Sequence, residues 1–264
     1  IAEYPTYQPL YEIPRTLGAE VEYWHLREEN GWNPSIDELK ELVRPDTKLI
    51  CINNASNPLG AVLDRETLEQ IVEIAQSVGA YVLSDEVYLP LENTENFWSM
   101  ADLYDRAVVT NSISKTYSVP GARIGWTVSN RELADKFRVY RDYTMICGEF
   151  NDALATYILQ NREAVLERNR EIVFRNMAIA QEWIDSEPRV TWQAPKGVSV
   201  AYIQWDIPMD DEEFCIKLLK EEGVLLVPGN RFELPGGARL GYCAPEPVLR
   251  EGLARLGRAL RQFD

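Results

Sequence analysis

The feature that most constrains this chain is an alternation of short apolar runs with longer amphipathic stretches, repeated from about residue 19 to residue 128. Residues 19–26, 48–53, 80–84, 106–111 and 124–128 predict strands. Residues 36–43 predict a helix, and a second begins at Asp64, a good N-cap, followed by Glu66 and the periodic apolar positions Leu68, Ile71, Val72 and Ala75. Gly79 ends it. Strands alternating with helices at this spacing build a mostly parallel sheet covered by helices on both faces.

The pattern then changes. Residues 132 to about 185 are nearly all helical, rich in Arg, Glu, Leu and Ala. Beyond them, residues 190–192, 198–205, 224–227 and 238–243 read as strands, and 211–222 and 248–263 as helices. The expected architecture is α/β: a large domain over residues 1–174, with long connecting helices, and a small C-terminal α+β domain over residues 175–264. Residues 1–7 read as the end of a strand entering a turn, with no Met and no signal-peptide pattern, which predicts that a segment lies upstream.

Composition narrows the function class. Hydrophobic residues make up 45% of the 264 and charged residues 26%, ordinary values for a globular chain. No apolar run is long enough to span a bilayer. With 27 Lys and Arg against 42 Asp and Glu, the formal charge is −15. That balance argues against nucleic acid and anionic membranes, whose phosphates need clustered cations. Cys51, Cys147, Cys215 and Cys243 lie far apart, and His25 is the single histidine. No metal site is expected, and scattered thiols fit a cytoplasmic protein.

Four short stretches carry the chemistry. Asn53-Asn54-Ala55-Ser56-Asn57-Pro58-Leu59-Gly60 and Ser84-Asp85-Glu86-Val87-Tyr88 each follow a predicted strand. Ser112-Ile113-Ser114-Lys115 leads into Pro120-Gly121-Ala122-Arg123-Ile124-Gly125, and Ala238-Arg239-Leu240-Gly241-Tyr242 comes last. In open α/β sheets, ligands bind outside the carboxyl ends of the strands. An acid, a phenol, an amide, a lysine and an arginine would converge there. The Ser-x-Ser-Lys run beside Arg123 suits a phosphate-bearing ligand. Neither glycine-rich nucleotide fingerprint is present.

In this order the stretches resemble the motifs of fold-type I pyridoxal-phosphate (PLP) enzymes, specifically the class I/II aminotransferase family. The resemblance implies a PLP-transferase-like fold, a PLP cofactor, and amino-group transfer between an amino acid and a 2-oxo acid. It makes Lys115 the Schiff-base lysine and proton shuttle, and Asp85 the partner of the pyridine nitrogen. Tyr88 and Asn57 would hold the cofactor's phenolic oxygen. Ser112, Ser114 and Arg123 would hold its phosphate, Arg239 would grip the substrate α-carboxylate beside Asn57, and Tyr7 would stack on the ring. Homodimerisation is expected on the same ground. The family's Asn-Pro-Thr-Gly is Asn57-Pro58-Leu59-Gly60 here, which bears on substrate preference.

Plainer roles stand beside these: Asp85 as a helix cap, Tyr88 as packing, Asn57 as a turn-former, Arg123 in a surface ion pair and His25 as a structural residue. Rival functions are a β-lyase, oxidase or cyclase on the same scaffold, or an inactive truncated relative. A phosphate-binding enzyme without PLP is more distant.

Overall fold

The structure, a computed structural model, describes residues 1–91 and 97–263. Two sheets organise it. The first has six strands: β1 (Ala2–Tyr4), β2 (Tyr23–His25), β3 (Leu49–Asn53), β4 (Tyr81–Asp85), β5 (Ala107–Ser112) and β6 (Gly125–Ser129). Their spatial order is β2-β1-β3-β4-β5-β6. All neighbours are parallel except β5 and β6, which pair antiparallel.

The period-2 alternation of these strands decides which helices cover which face. Ile50, Ile52, Val82 and Val109 meet one layer, with Leu39 of α2 (Ile36–Leu42), Leu68, Ile71, Val72 and Ala75 of α3 (Arg65–Val78), and Met100 of α4 (Met100–Leu103). Cys51 and Ala2 face the other way, toward Leu10 and Tyr11 of α1 (Pro9–Thr16). The predicted caps are in place: Asp64 accepts from Thr67 N–H, and Gly79 takes the left-handed conformation at φ +68°. That backbone suits glycine and closes α3.

Three helices follow: α5 (Arg131–Thr144), α6 (Glu149–Gln160) and α7 (Arg162–Ser186). None of α5 is buried. The second sheet is antiparallel, in the order β7 (Val190–Trp192), β8 (Val200–Trp205), β10 (Gly237–Gly241), β9 (Val227–Pro228). Its core, including Ile203, Ala238 and Leu240, packs on α7, on Phe214 and Leu218 of α8 (Asp211–Glu222), and on Leu253 and Leu256 of α9 (Glu246–Leu260). Its other face presents Tyr202, packed with Leu26, Trp32 and Leu59 of the first sheet's loops.

Three local expectations differ. Residues 19–22 are not strand: Gly18 turns left-handed and Ala19 N–H bonds back to Pro14, so only Tyr23–His25 pairs along β1. The strand expected at 224–227 is the edge pair Val227–Pro228, because Val224 N–H is still tied to Leu218 of α8, and Pro228 then adds no donor. Helix α1 was not expected, since Pro14 lies inside it. A proline there removes a backbone donor and disfavours helix, yet burial of Leu10 and Tyr11 holds this short one. Among the described residues, no helix is long and apolar enough to cross a membrane.

Candidate active site

Parallel pairing brings the carboxyl ends of β1, β3, β4 and β5 to one edge of the sheet, and antiparallel β6 begins there. The segments carrying Tyr7, Asn57, Asp85 and Tyr88, Ser112 to Lys115, and Arg123 therefore all leave from the same edge.

Lys115 lies in a tight turn after β5. Ser118 N–H bonds the Lys115 carbonyl at 2.9 Å, Val119 N–H bonds Ile113 at 3.0 Å, and Ser114 N–H donates to Ser112 Oγ at 3.2 Å. The exposed Lys115 ammonium stands 5.6 Å from the centre of the Tyr88 ring, and Tyr88 itself is buried. Both residues, with Ser114, Arg168 and Ser199, line a cleft of about 550 Å3. Arg123 closes the turn in the left-handed region (φ +52°), an uncommon backbone for a residue with a side chain. Its Nη1 donates to the Pro120 carbonyl at 2.9 Å, and no ion pair of Arg123 occurs among the described residues.

Asp85 ends β4 and caps no helix; its Oδ1 accepts Val87 N–H at 3.1 Å. Burial holds its carboxyl above the ordinary range, against the lowering effect of the Val87 N–H and the Thr110 side chain. Among the described residues it has no cationic partner. A buried carboxylate in that position fits a protonated ring nitrogen, which would relieve the cost of desolvation.

A second group forms where the two sheets meet. Arg239 of β10 is half-buried, sits in register with Tyr202, and lies with its guanidinium 5.3 Å from the centre of the Phe232 ring. Its Nη1 donates to Asn57 Oδ1 at 2.9 Å. Asn57 N–H in turn donates to Asn53 Oδ1 at 2.8 Å, while Asn53 Nδ2 donates to the Asp85 carbonyl at 3.0 Å. The asparagine pair thus links the guanidinium to the end of β4. Tyr7 follows β1 at this edge, 46% exposed, and belongs to neither group. His25 has a structural position, with Nδ1 3.2 Å from Glu38 Oε1.

Several polar residues of this region were not singled out from sequence. Asn53 is one. Thr116 is another: its Oγ1 accepts Leu89 N–H at 2.8 Å and donates to the Val87 carbonyl at 3.2 Å, holding the backbone on either side of Tyr88. Asn169 Nδ2 donates to the Thr116 carbonyl at 2.8 Å. The signal for Asn169 was present, because it falls on the buried stripe of α7 at Leu166, Asn169, Val173, Asn176 and Ala180. A separate cavity of about 340 Å3, lined in part by Leu10, Glu22, Arg44 and Cys51, holds none of the expected site residues.

Comparison with known proteins agrees with this fold. The sequence pattern of the family described as aminotransferase class I and II matches residues 1–256. An aspartate aminotransferase of Thermotoga maritima is 31% identical over 238 residues, 86% of this chain and 59% of that protein. A capreomycidine synthase of Streptomyces vinaceus is 28% identical over 260 residues, 97% of this chain and 67% of that protein. The crystal structure of a PLP-dependent aminotransferase from Streptococcus suis superposes with a TM-score of 0.97 at 51% identity, over 100% of this chain and 70% of that one. The chain thus spans 59% and 67% of the length of these two curated relatives. The expected fold type I architecture is the one observed, and the family's cofactor is PLP. This chain belongs to the aminotransferase class I and II family.

Proposed function

We propose that this chain carries the cofactor and substrate machinery of a PLP-dependent aminotransferase, moving an amino group between an amino acid and a 2-oxo acid. The observation that carries the reading is the placement of Lys115 over Tyr88 at the strand edge where Asp85 is buried with no cationic partner among the described residues. When bound, PLP supplies an electron sink for the electron pair released at the substrate Cα. Lys115 would hold the cofactor covalently until the substrate amine displaces it, and the amine so freed would take the Cα proton and return it. Asp85 keeps the pyridine nitrogen protonated. Tyr88 and Asn57 hold the phenolic oxygen, and Ser112, Ser114 and Arg123 hold the phosphate. Tyr7, at the same edge but apart from both groups, would cover the ring. Arg239 binds the substrate carboxylate through its planar fork, with Asn57 as its orienting partner.

The wider expectations belong to the same reading: a division into domains near Phe174, a cytoplasmic location and a homodimer. Exposed apolar side chains from α5 through the connection to α6, including Tyr143, Ile146 and Phe150, favour a covering partner there. The test is a screen of the twenty L-amino acids with PLP-loaded protein, reading 2-oxo acid formation. Stoichiometric 2-oxo acid without ammonia supports transamination. A second reading, another PLP-dependent reaction on an amino acid, is favoured by the capreomycidine synthase relative. It predicts ammonia or a rearranged product and no need for an amino acceptor.

A further inference from the structure

Two buried asparagines on α7 are bonded to the two halves of the site. Asn169, 4% exposed, donates through Nδ2 to the carbonyl of Thr116, the residue after Lys115. Asn176 is fully buried, and its Nδ2 donates to both the Tyr242 and Ala244 carbonyls at 2.7 Å, just beyond β10 and Arg239. An amide nitrogen has two protons, so both Asn176 donors are used. The acceptor oxygens are also occupied: Asn169 Oδ1 by Arg168 at 2.9 Å, Asn176 Oδ1 by Arg175 at 3.2 Å.

The spacing explains how one helix can do both. Seven residues are close to two turns of an α-helix, so Asn169 and Asn176 lie on one face about 10.5 Å apart along the axis. On the buried stripe, where an apolar side chain packs without needing partners, each amide must find carbonyls or be left at a cost of about 1–3 kcal/mol. Thr116 then carries the first grip onward, through Oγ1, to the backbone flanking Tyr88.

We infer that Asn169 and Asn176 are positioning residues that set the Lys115 turn and the Arg239 strand at a fixed separation along α7. The inference rests on the aminotransferase reading and deepens it. Asn169 governs where the Lys115 amine stands relative to Tyr88 and the substrate Cα. Asn176 governs where the carboxylate-binding guanidinium stands. A site that must align one substrate by its carboxylate and its Cα proton at once is sensitive to that separation.

The experiment compares Asn169→Asp and Asn176→Asp in the holoenzyme, using the best L-amino acid donor from the screen. Each substitution keeps the oxygen that accepts from the neighbouring arginine and removes the amide donor. Asn169→Asp is expected to lower kcat at least about tenfold and to move the pH midpoint of the bound cofactor's visible absorbance by about one pH unit or more, with KM nearly unchanged. Asn176→Asp is expected to raise KM about tenfold while leaving the absorbance titration in place. Should an Asp variant not fold, the Gln variants, which hold the amide one methylene further out, are expected to show the same split. Equal changes in both readouts from both positions, or no change, would overturn the inference. Borohydride labelling of Lys115 in the parent separates the failures: an unlabelled parent sinks the cofactor reading, whereas a labelled parent without the split sinks only this one.

Discussion

Replacing Glu3 with glutamine removes a titration that burial imposes on the folded protein. Glu3 lies in β1, is 1% exposed, and accepts Asn53 N–H through Oε2 at 2.7 Å. Its Oε1 has no hydrogen-bond partner among the described residues. Desolvation pushes the carboxyl from an ordinary 4.5 to about 8, and the Asn53 N–H opposes this only in part. Below pH 4.5 both folded and unfolded chains keep the proton, so ionisation of the group costs nothing. Between 4.5 and 8 the unfolded chain releases a proton that the folded chain retains, and stability falls as pH rises. Above 8 the full penalty is present. At about 1.4 kcal/mol per pH unit the gap corresponds to a ceiling of roughly 5 kcal/mol. Urea unfolding of parent and Glu3→Gln from pH 4 to 9 measures it, and subtracting the curves cancels every other titrating group, Glu86 included. The expected result is a stability gain for the variant that grows across that window and levels off above pH 8. A difference independent of pH would refute the reasoning, because it would mean that Glu3 ionises in the folded state as freely as in the unfolded one.

Three other outcomes follow from the geometry. Arg239→Lys, which cannot offer the planar fork, is expected to raise KM for the amino donor about tenfold or more with a smaller effect on kcat, read by steady-state kinetics. Asp85→Asn removes the buried carboxylate and is expected to lower kcat about 10²–10³-fold, with weaker PLP retention on dialysis. Gly60→Ala puts a Cβ 2.7 Å from the Val200 carbonyl and 2.8 Å from Pro195 Cβ, at a φ of +73°. It is expected to cost about 1–3 kcal/mol, seen as a lower melting temperature.

How far the fold could be read from sequence depended on how local each signal was. Strands β3, β4 and β5 are apolar runs bounded by turn formers, and α3 carries both caps, so hydrophobic period and end signals located them within a residue or two. The site motifs were legible because parallel strands bring their ends together, whatever the sequence distance between them. Helix α1 was hidden by Pro14, whose local preference is outweighed by the burial of Leu10 and Tyr11. The bond from Arg239 to Asn57 joins positions 182 apart and leaves no local trace. Glu3 is similar: one acid in a three-residue strand reads as solvated until its neighbours in the sheet are known. Asn169 and Asn176 are the intermediate case, since two amides on an apolar helical stripe are visible in sequence as an anomaly but their carbonyl partners are not.

The aminotransferase reading stands or falls on Lys115 as the residue that holds PLP. Incubating the protein with PLP, reducing with borohydride and mapping the peptides by mass spectrometry tests it directly. A pyridoxyl label on Lys115 that disappears in Lys115→Ala is the expected result. Label on another lysine, or none on a protein shown to be folded, would contradict it.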